Sequence, residues 1–111
     1  MDIQEIAAGH VTVLAISGRI DSSNAMDLSN RLREMYAKRG RLLLLDLEHV
    51  DYITSAGFRT FLIGRRHAAS SGGAFALCSL DPKVRDLFDM GGFIDNFSIH
   101  PTREEGIARL V

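Results

Sequence analysis

The chain has 111 residues, of which 46% are hydrophobic and 24% charged, with 13 Lys and Arg against 14 Asp and Glu and a formal net charge of −1. That length supports one core and not two, and the balanced charge offers no basic excess for neutralising phosphates, which argues against direct nucleic-acid binding. Cys78 is the single cysteine, so an internal disulfide and a cysteine-based zinc site are excluded.

The apolar runs, such as "LLLL" at Leu42 to Leu45, fall far short of the roughly 20 residues that cross a bilayer. "MDIQEIAAGHV" has no basic region leading into an apolar stretch, so a cytoplasmic address without membrane insertion is expected. Ile3 to Ala8 and Val11 to Ser17 are apolar segments around Gly9-His10, a pair suited to a tight turn, and predict an opening antiparallel hairpin. From Asp21 or Ser22 to Arg39, the residues Ala25, Leu28, Leu32, Met35 and Tyr36 recur at three- and four-residue intervals with charges between them. That pattern predicts an amphipathic helix stopped by Gly40.

"RLLLLDL" (Arg41 to Leu47) reads as a strand buried on both faces, followed by a loop that leads to a helix near Ser55. On this helix Phe58, Phe61, Leu62, Ala68 and Ala69 fall on one side and Arg59, Arg66 and Ser70 on another, with Ser71-Gly72-Gly73 as the stop. "AFALCSL" is a further strand; in "DPKVRDLFDMGG" Asp81 suits an N-cap, Pro82 the first helical position and Gly91-Gly92 the end. A short strand around Asn96 to His100 precedes "PTREEGIARL", where Thr102 and Glu105 fit a capping box. The order β-β-α-β-α-β-α-β-α implies an α/β fold: a single domain over 1–111 with a mixed, mostly parallel sheet that opens with an antiparallel hairpin.

Ser55, in "DYITSAGFRTFLIGRRHA", lies where open α/β sheets expose functional groups, at the strand-to-helix junction. One reading is structural: Thr54 or Ser55 caps the helix. A second is nucleophilic, which needs a base and an oxyanion hole. "TSAG" is not the Gly-x-Ser-x-Gly elbow. His67 lies roughly 18 Å along the same helix, and His10, His49 and His100 could approach only through folding, so a small serine hydrolase stands as an alternative. A third reading makes Ser55 a phosphoacceptor, its phosphate of about −1.5 to −2 charges set beside the partly positive helix amides. Arg59, four residues on, is on the same side of the helix.

"LLLLDLEHVDYITSAGFRTFLIGRRHAASSGGAFALCSLDPKVRDLFDMGGFIDNFSI", together with "VTVLAISGRIDSSNAMDLSNRL", resembles the STAS domains of bacterial anti-sigma factor antagonists over nearly the whole chain. The resemblance implies that Ser55 is phosphorylated by an anti-sigma factor with serine kinase activity. The unphosphorylated form would capture that partner and liberate sigma, and a PP2C-like phosphatase would restore it. By the same resemblance Gly57 matches the motif glycine and Asp21 an acid of the "GRID" loop near the phosphorylation site; Ser22, Thr54, Ala56 and Arg59 complete the neighbourhood. The family motif commonly has Asp where this chain has Thr54, and Ser or Thr where it has Ala56, which leaves Thr54 as a competing acceptor. The implied protein is not an enzyme and needs no cofactor, and a weak homodimer is compatible with it. The same fold without phosphorylation would suit a scaffold subunit of a signalling or lipid-transport complex.

Cys78 in an apolar strand reads as a core residue. Arg31, Arg33, Lys38, Arg39 and Arg41 read as a solvated face near a helix C-terminus. Asp46, Glu48 and Asp51, on the expected strand-exit loop, could join Asp21 in a metal site but are read as solvated or capping acids, and no metal ligand is assigned. Gly72-Gly73 lacks the spacing of a nucleotide cradle.

Overall fold

The computed structural model describes residues 1–111. The hairpin forms as predicted: β1 (Asp2–Ala8) and β2 (Val11–Ile20) are antiparallel, with Ala8 opposite Val11. Gly9 takes the left-handed φ of 64° that so tight a turn requires. There follow α1 (Ala25–Tyr36), β3 (Leu42–Ile53), α2 (Ser55–Ser70), β4 (Ala74–Cys78), α3 (Pro82–Met90), a single 3-10 turn (Ile94–Asn96), β5 (Ser98–His100) and α4 (Arg103–Leu110).

The five strands lie in the order β1-β2-β3-β4-β5, antiparallel at the first pair and parallel thereafter. Each crossover therefore steps to the next strand in the same direction, and right-handed connections of that kind place α1, α2 and α3 on one face. Their buried side chains, among them Leu28, Leu32, Phe58, Phe61, Val84 and Phe88, join Leu14, Ile16, Leu43, Leu45 and Leu47 of the sheet in the main core. Phe58 stacks on Phe93 at 4.7 Å and meets Phe88 edge-on at 4.8 Å. The other face is covered by α4 alone, whose Ile107 and Leu110 pack on a smaller cluster of Val11, Val13, Leu44, Ala76 and Cys78.

Several element boundaries differ from expectation for identifiable reasons. α1 starts at Ala25, not at Asp21 or Ser22, because Asn24 takes the N-cap position. Its side chain accepts from the Asp21 N–H (3.0 Å) and donates to the Arg19 carbonyl (2.9 Å), so residues 21–24 form a turn instead of a first helical turn. The helix also stops at Tyr36, with Gly40 at φ 72° in the turn beyond. On α2 Ala69 is exposed, and the buried side includes Thr60 and Gly64. β4 ends at Cys78, as Ser79 turns away at φ 61°, and β5 starts at Ser98 because Asn96 belongs to the 3-10 turn.

The largest difference is β3, which runs on to Ile53 where a loop is expected after Leu47. Two bulges explain it. Ala15 pairs with Asp46 and Ser17 with His49; Gly18 pairs with Val50 and Arg19 with Tyr52, so β3 twice carries one residue more than β2. Each extra residue resets the alternation, and the buried positions Leu47, Val50 and Ile53 come three apart instead of two. Pairing of β3 with β4 ends at Asp46–Cys78, so β2 and β3 continue alone as a twisted ribbon to Ile20–Ile53.

Candidate functional site

The ribbon ends where α2 begins. Thr54 holds the N-cap position, and both its N–H (3.0 Å) and its hydroxyl (3.4 Å) donate to the Ile20 carbonyl. The side-chain cap considered for this position is thus not made: Thr54 is half-buried and turned toward β2. The first-turn N–H groups of α2 have no intrahelical acceptor and no capping side chain. Ser55, the first helical residue, is exposed, and its hydroxyl has no hydrogen bond to another protein group.

Gly57 allows α2 to sit this close to the ribbon. A Cβ there would lie 2.7 Å from Ile53 Cγ2, 3.0 Å from Ile20 Cγ2 and 3.3 Å from the Ile20 carbonyl oxygen, distances at which one element must give way. The absent side chain brings the first turn of α2 down onto the last pair of the ribbon, which holds Ser55 at its outer tip.

Beside it, Asp21 Oδ1 accepts from the Ser23 hydroxyl (2.5 Å) and N–H (2.9 Å), while Oδ2 lies 3.1 Å from Arg19 Nε. The Ser23 hydroxyl, then its N–H and then Arg19 hold the Asp21 carboxyl below the usual carboxylate range. Arg19 in turn lies 4.9 Å over the Tyr52 ring, its partner across the ribbon. Ser22, Ala56 and Arg59 line one shallow groove between α1 and α2. The structure therefore gathers Asp21, Ser22, Thr54, Ser55, Ala56, Gly57 and Arg59 at one end of the sheet. Met26, Thr60 and Ile63 line the groove, Arg19 and Tyr52 lie in the last pairs of the ribbon, and all five are missed by sequence reasoning; the charged pair Arg19-x-Asp21 is the one local signal for any of them.

The acids do not converge. Asp46, Glu48 and Asp51 lie within β3 and not on an exit loop. Asp46 is buried under α4, accepting from Arg103 Nε at 2.8 Å and from the Glu48 N–H at 3.0 Å, and its strand position is roughly 20 Å from the ribbon tip at strand rise. No histidine is hydrogen-bonded to Ser55. His100 meets Ser98 at 3.1 Å on β5, His49 lies 4.0 Å from Glu48, and His10 is in the hairpin turn at the opposite end of the sheet. Cys78 is fully buried in the smaller core, and burial pushes its thiol up to about 11. Of the arginines read as a solvated face, Arg31 lies 4.0 Å from Glu5 and Arg41 donates to the Thr12 hydroxyl at 3.4 Å. No helix is long and apolar enough to cross a membrane.

Residues 3–106 match the family model of the STAS domain. A Bordetella bronchiseptica protein, BtrV, provisionally named an anti-sigma factor antagonist, is 34% identical over 96 residues, covering 86% of this chain and 83% of its own. Among solved structures, an anti-sigma factor antagonist from Mycobacterium paratuberculosis superposes with a TM-score of 0.86 at 21% identity, over 98% of this chain and 92% of that one. The phosphorylated form of the Bacillus cell fate determinant SpoIIAA superposes with a TM-score of 0.73 at 18% identity, over 99% of this chain and 100% of that one. At these identities the two structures establish the shared fold.

Proposed function

Because the chain belongs to the STAS domain family, we propose that it is an anti-sigma factor antagonist switched by reversible phosphorylation of Ser55, and that it is not itself an enzyme. The observation that supports this is the contrast at the head of α2: the Ser55 hydroxyl is exposed and unbonded, whereas that of Thr54 is turned to the Ile20 carbonyl. On that contrast Ser55, not Thr54, is the acceptor. An anti-sigma factor with serine kinase activity transfers the γ-phosphoryl group of ATP to Ser55 Oγ; the hydroxyl proton passes to the kinase and ADP leaves. A PP2C-like phosphatase hydrolyses the ester and restores the hydroxyl.

The unphosphorylated tip binds the anti-sigma factor. A dianion placed at that contact must be desolvated without matched cations or set against like charge, and about 2.8 kcal/mol of such penalty is already a hundredfold in affinity. The test is incubation with ATP and the kinase-type anti-sigma factor of the same organism, followed by peptide mass mapping and calorimetric titration. A phosphate on Ser55, absent from a Ser55→Ala variant, with affinity lowered about a hundredfold, is the expected result. Binding without any phosphate transfer would instead favour a constitutive scaffold, and turnover of an ester a hydrolase.

A further inference from the structure

Between α1 and α2 runs a groove of about 240 Å³ that begins beside Ser55. Its floor is small, with Ala25 and Ala56 allowing the helices to approach and Ser22 and Ser29 lining the α1 side, and the most deeply buried hydroxyl is already engaged: Thr60 Oγ1 is 3.2 Å from both the Ala25 and the Ala56 carbonyls. The floor therefore presents apolar surface. Met26, 70% exposed, and Ile63 form its apolar walls.

The charge around this groove has one sign on the α2 side. The 16 residues of α2 include Arg59, which lines the groove, and Arg65 and Arg66, which line a separate depression of α2 with Leu62 and Ala69, and no Asp or Glu. Arg65 is directed to the Asn96 carbonyl, but Arg59 and Arg66 are exposed and neither has a carboxylate within ion-pair distance. Arg59, Ile63 and Arg66 follow at steps of four and three, so one face of α2 reads cation, apolar, cation. On α1 the charges are mixed, with the exposed Asp27 and Glu34 next to Met26 and Arg33, so the concentration of cations is confined to α2. In a chain of net charge −1 this concentration is local.

We infer that this groove receives an acidic amphipathic segment of the partner, its apolar side chains seated between Met26 and Ile63 and its carboxylates paired with Arg59 and Arg66. The inference rests on the proposed partner-switching function and specifies the chemistry of the contact. It also gives the switch a second arm. A phosphate on Ser55 lies one helical turn before Arg59, so it draws that guanidinium into an intramolecular pair and sets negative charge at the groove mouth. The partner's carboxylates then lose one cation and meet one dianion.

The test titrates the anti-sigma kinase that modifies Ser55 into the wild-type protein and into Arg59→Glu, Arg66→Glu, Met26→Asp and Arg59→Lys variants, at two salt concentrations, after circular dichroism melts have checked the fold. Expected are losses of at least about tenfold for each charge reversal and for Met26→Asp, most affinity kept by Arg59→Lys, and a weaker salt dependence in the reversed variants. Undiminished binding by all three disruptive variants overturns the groove assignment and leaves the phosphorylation switch standing. Tighter binding by Arg59→Glu means a basic partner face and overturns it as well. So does a wild-type dimer that Met26→Asp dissociates, since a second copy then fills the groove. If wild type binds no kinase-type anti-sigma factor, the proposed function itself fails and this contact with it.

Discussion

Replacing Gly57 by alanine tests whether the seat of Ser55 depends on the close approach of α2 to the ribbon. The added Cβ would stand 2.7 Å from Ile53 Cγ2 and 3.0 Å from Ile20 Cγ2, where carbon atoms prefer about 3.5–4.0 Å. Neither isoleucine can swing aside, for Ile53 is 1% exposed and Ile20 0%. Overpacking of this kind costs about 1–3 kcal/mol, and two methyl groups plus a carbonyl place it toward the upper end. Alanine recovers roughly 0.5–1 kcal/mol through its helix propensity, leaving a net loss of about 1–2 kcal/mol. With an unfolding entropy of about 2.1 cal/mol/K per residue over 111 residues, that is a fall in Tm of roughly 4–9 °C. Thermal denaturation followed by circular dichroism reads it directly. A companion variant supplies the control: leucine lacks the Cγ2 branch, so Ile53→Leu combined with Gly57→Ala should be more stable than the sum of the single changes by about 0.5 kcal/mol or more. A Gly57→Ala protein that melts at or above the wild-type temperature, or a cycle without coupling, would refute the steric account.

Cys78 should resist thiol reagents at about pH 8 in the native protein and react fully in denaturant, since burial pushes its thiol up to about 11. The sign of the linkage follows: the folded state holds its proton more tightly, so this contribution is intact below 9.0, the ordinary value, and is lost as pH rises from there through about 11. Urea melts across that window should show a decline that is smaller in Cys78→Ala, the remainder coming from the Tyr36 hydroxyl, which burial also pushes up from its ordinary value of 10.0. Arg103→Ala removes the cation from Asp46, which is 4% exposed. Stripping one partner from a fully buried pair costs about 3–5 kcal/mol, but the Arg103 side chain is 36% exposed, so screening reduces the expected loss to about 1–3 kcal/mol. A change in urea midpoint worth under about 0.5 kcal/mol would contradict that role.

Elements set by local chemistry are legible in the sequence. The Gly9-His10 turn and the Asp81-Pro82 start of α3, where Asp81 accepts from the Lys83 N–H at 2.8 Å, form as their residues predict, and of the capping box expected at α4 the Thr102 half forms, at 3.1 Å from the Glu105 N–H, without the reciprocal bond from Glu105. Those features depend on atoms within three residues of one another. The start of α1 is not legible, because Asp21, Ser22, Ser23 and Asn24 are all capping residues and what selects Asn24 is its reach back to Arg19 at the end of β2. The second half of β3 is concealed by its bulges, which turn a two-residue alternation into a three-residue one. The contact of Arg19 with Tyr52 depends on that hidden register, and the groove depends on how α1 and α2 approach, so neither leaves a mark in the linear chain. Ser55 itself is legible as a position; that its hydroxyl is free and its neighbour's is not appears only in three dimensions.

That one-residue offset decides what a phosphoryl group can do. On Ser55 it would displace no packed atom and would meet the unpaired amides of the first turn of α2, an interaction worth about 0.3–1 kcal/mol in favour of the folded state. On Thr54 the same group would remove the hydroxyl donor to the Ile20 carbonyl and press a dianion against the half-buried junction that Ile20, Ile53 and Gly57 form. Desolvation of charge there costs several kcal/mol, a large fraction of the roughly 5–15 kcal/mol that holds a domain of this kind together. Modification of Ser55 would therefore act on the surface and leave the fold in place, whereas modification one position earlier would work against the seating of α2 itself. A switch that must be reset many times needs the first arrangement. Under the proposed switch its two states would differ by a hundredfold or more in binding, about 2.8 kcal/mol, while differing by at most about 1 kcal/mol in stability.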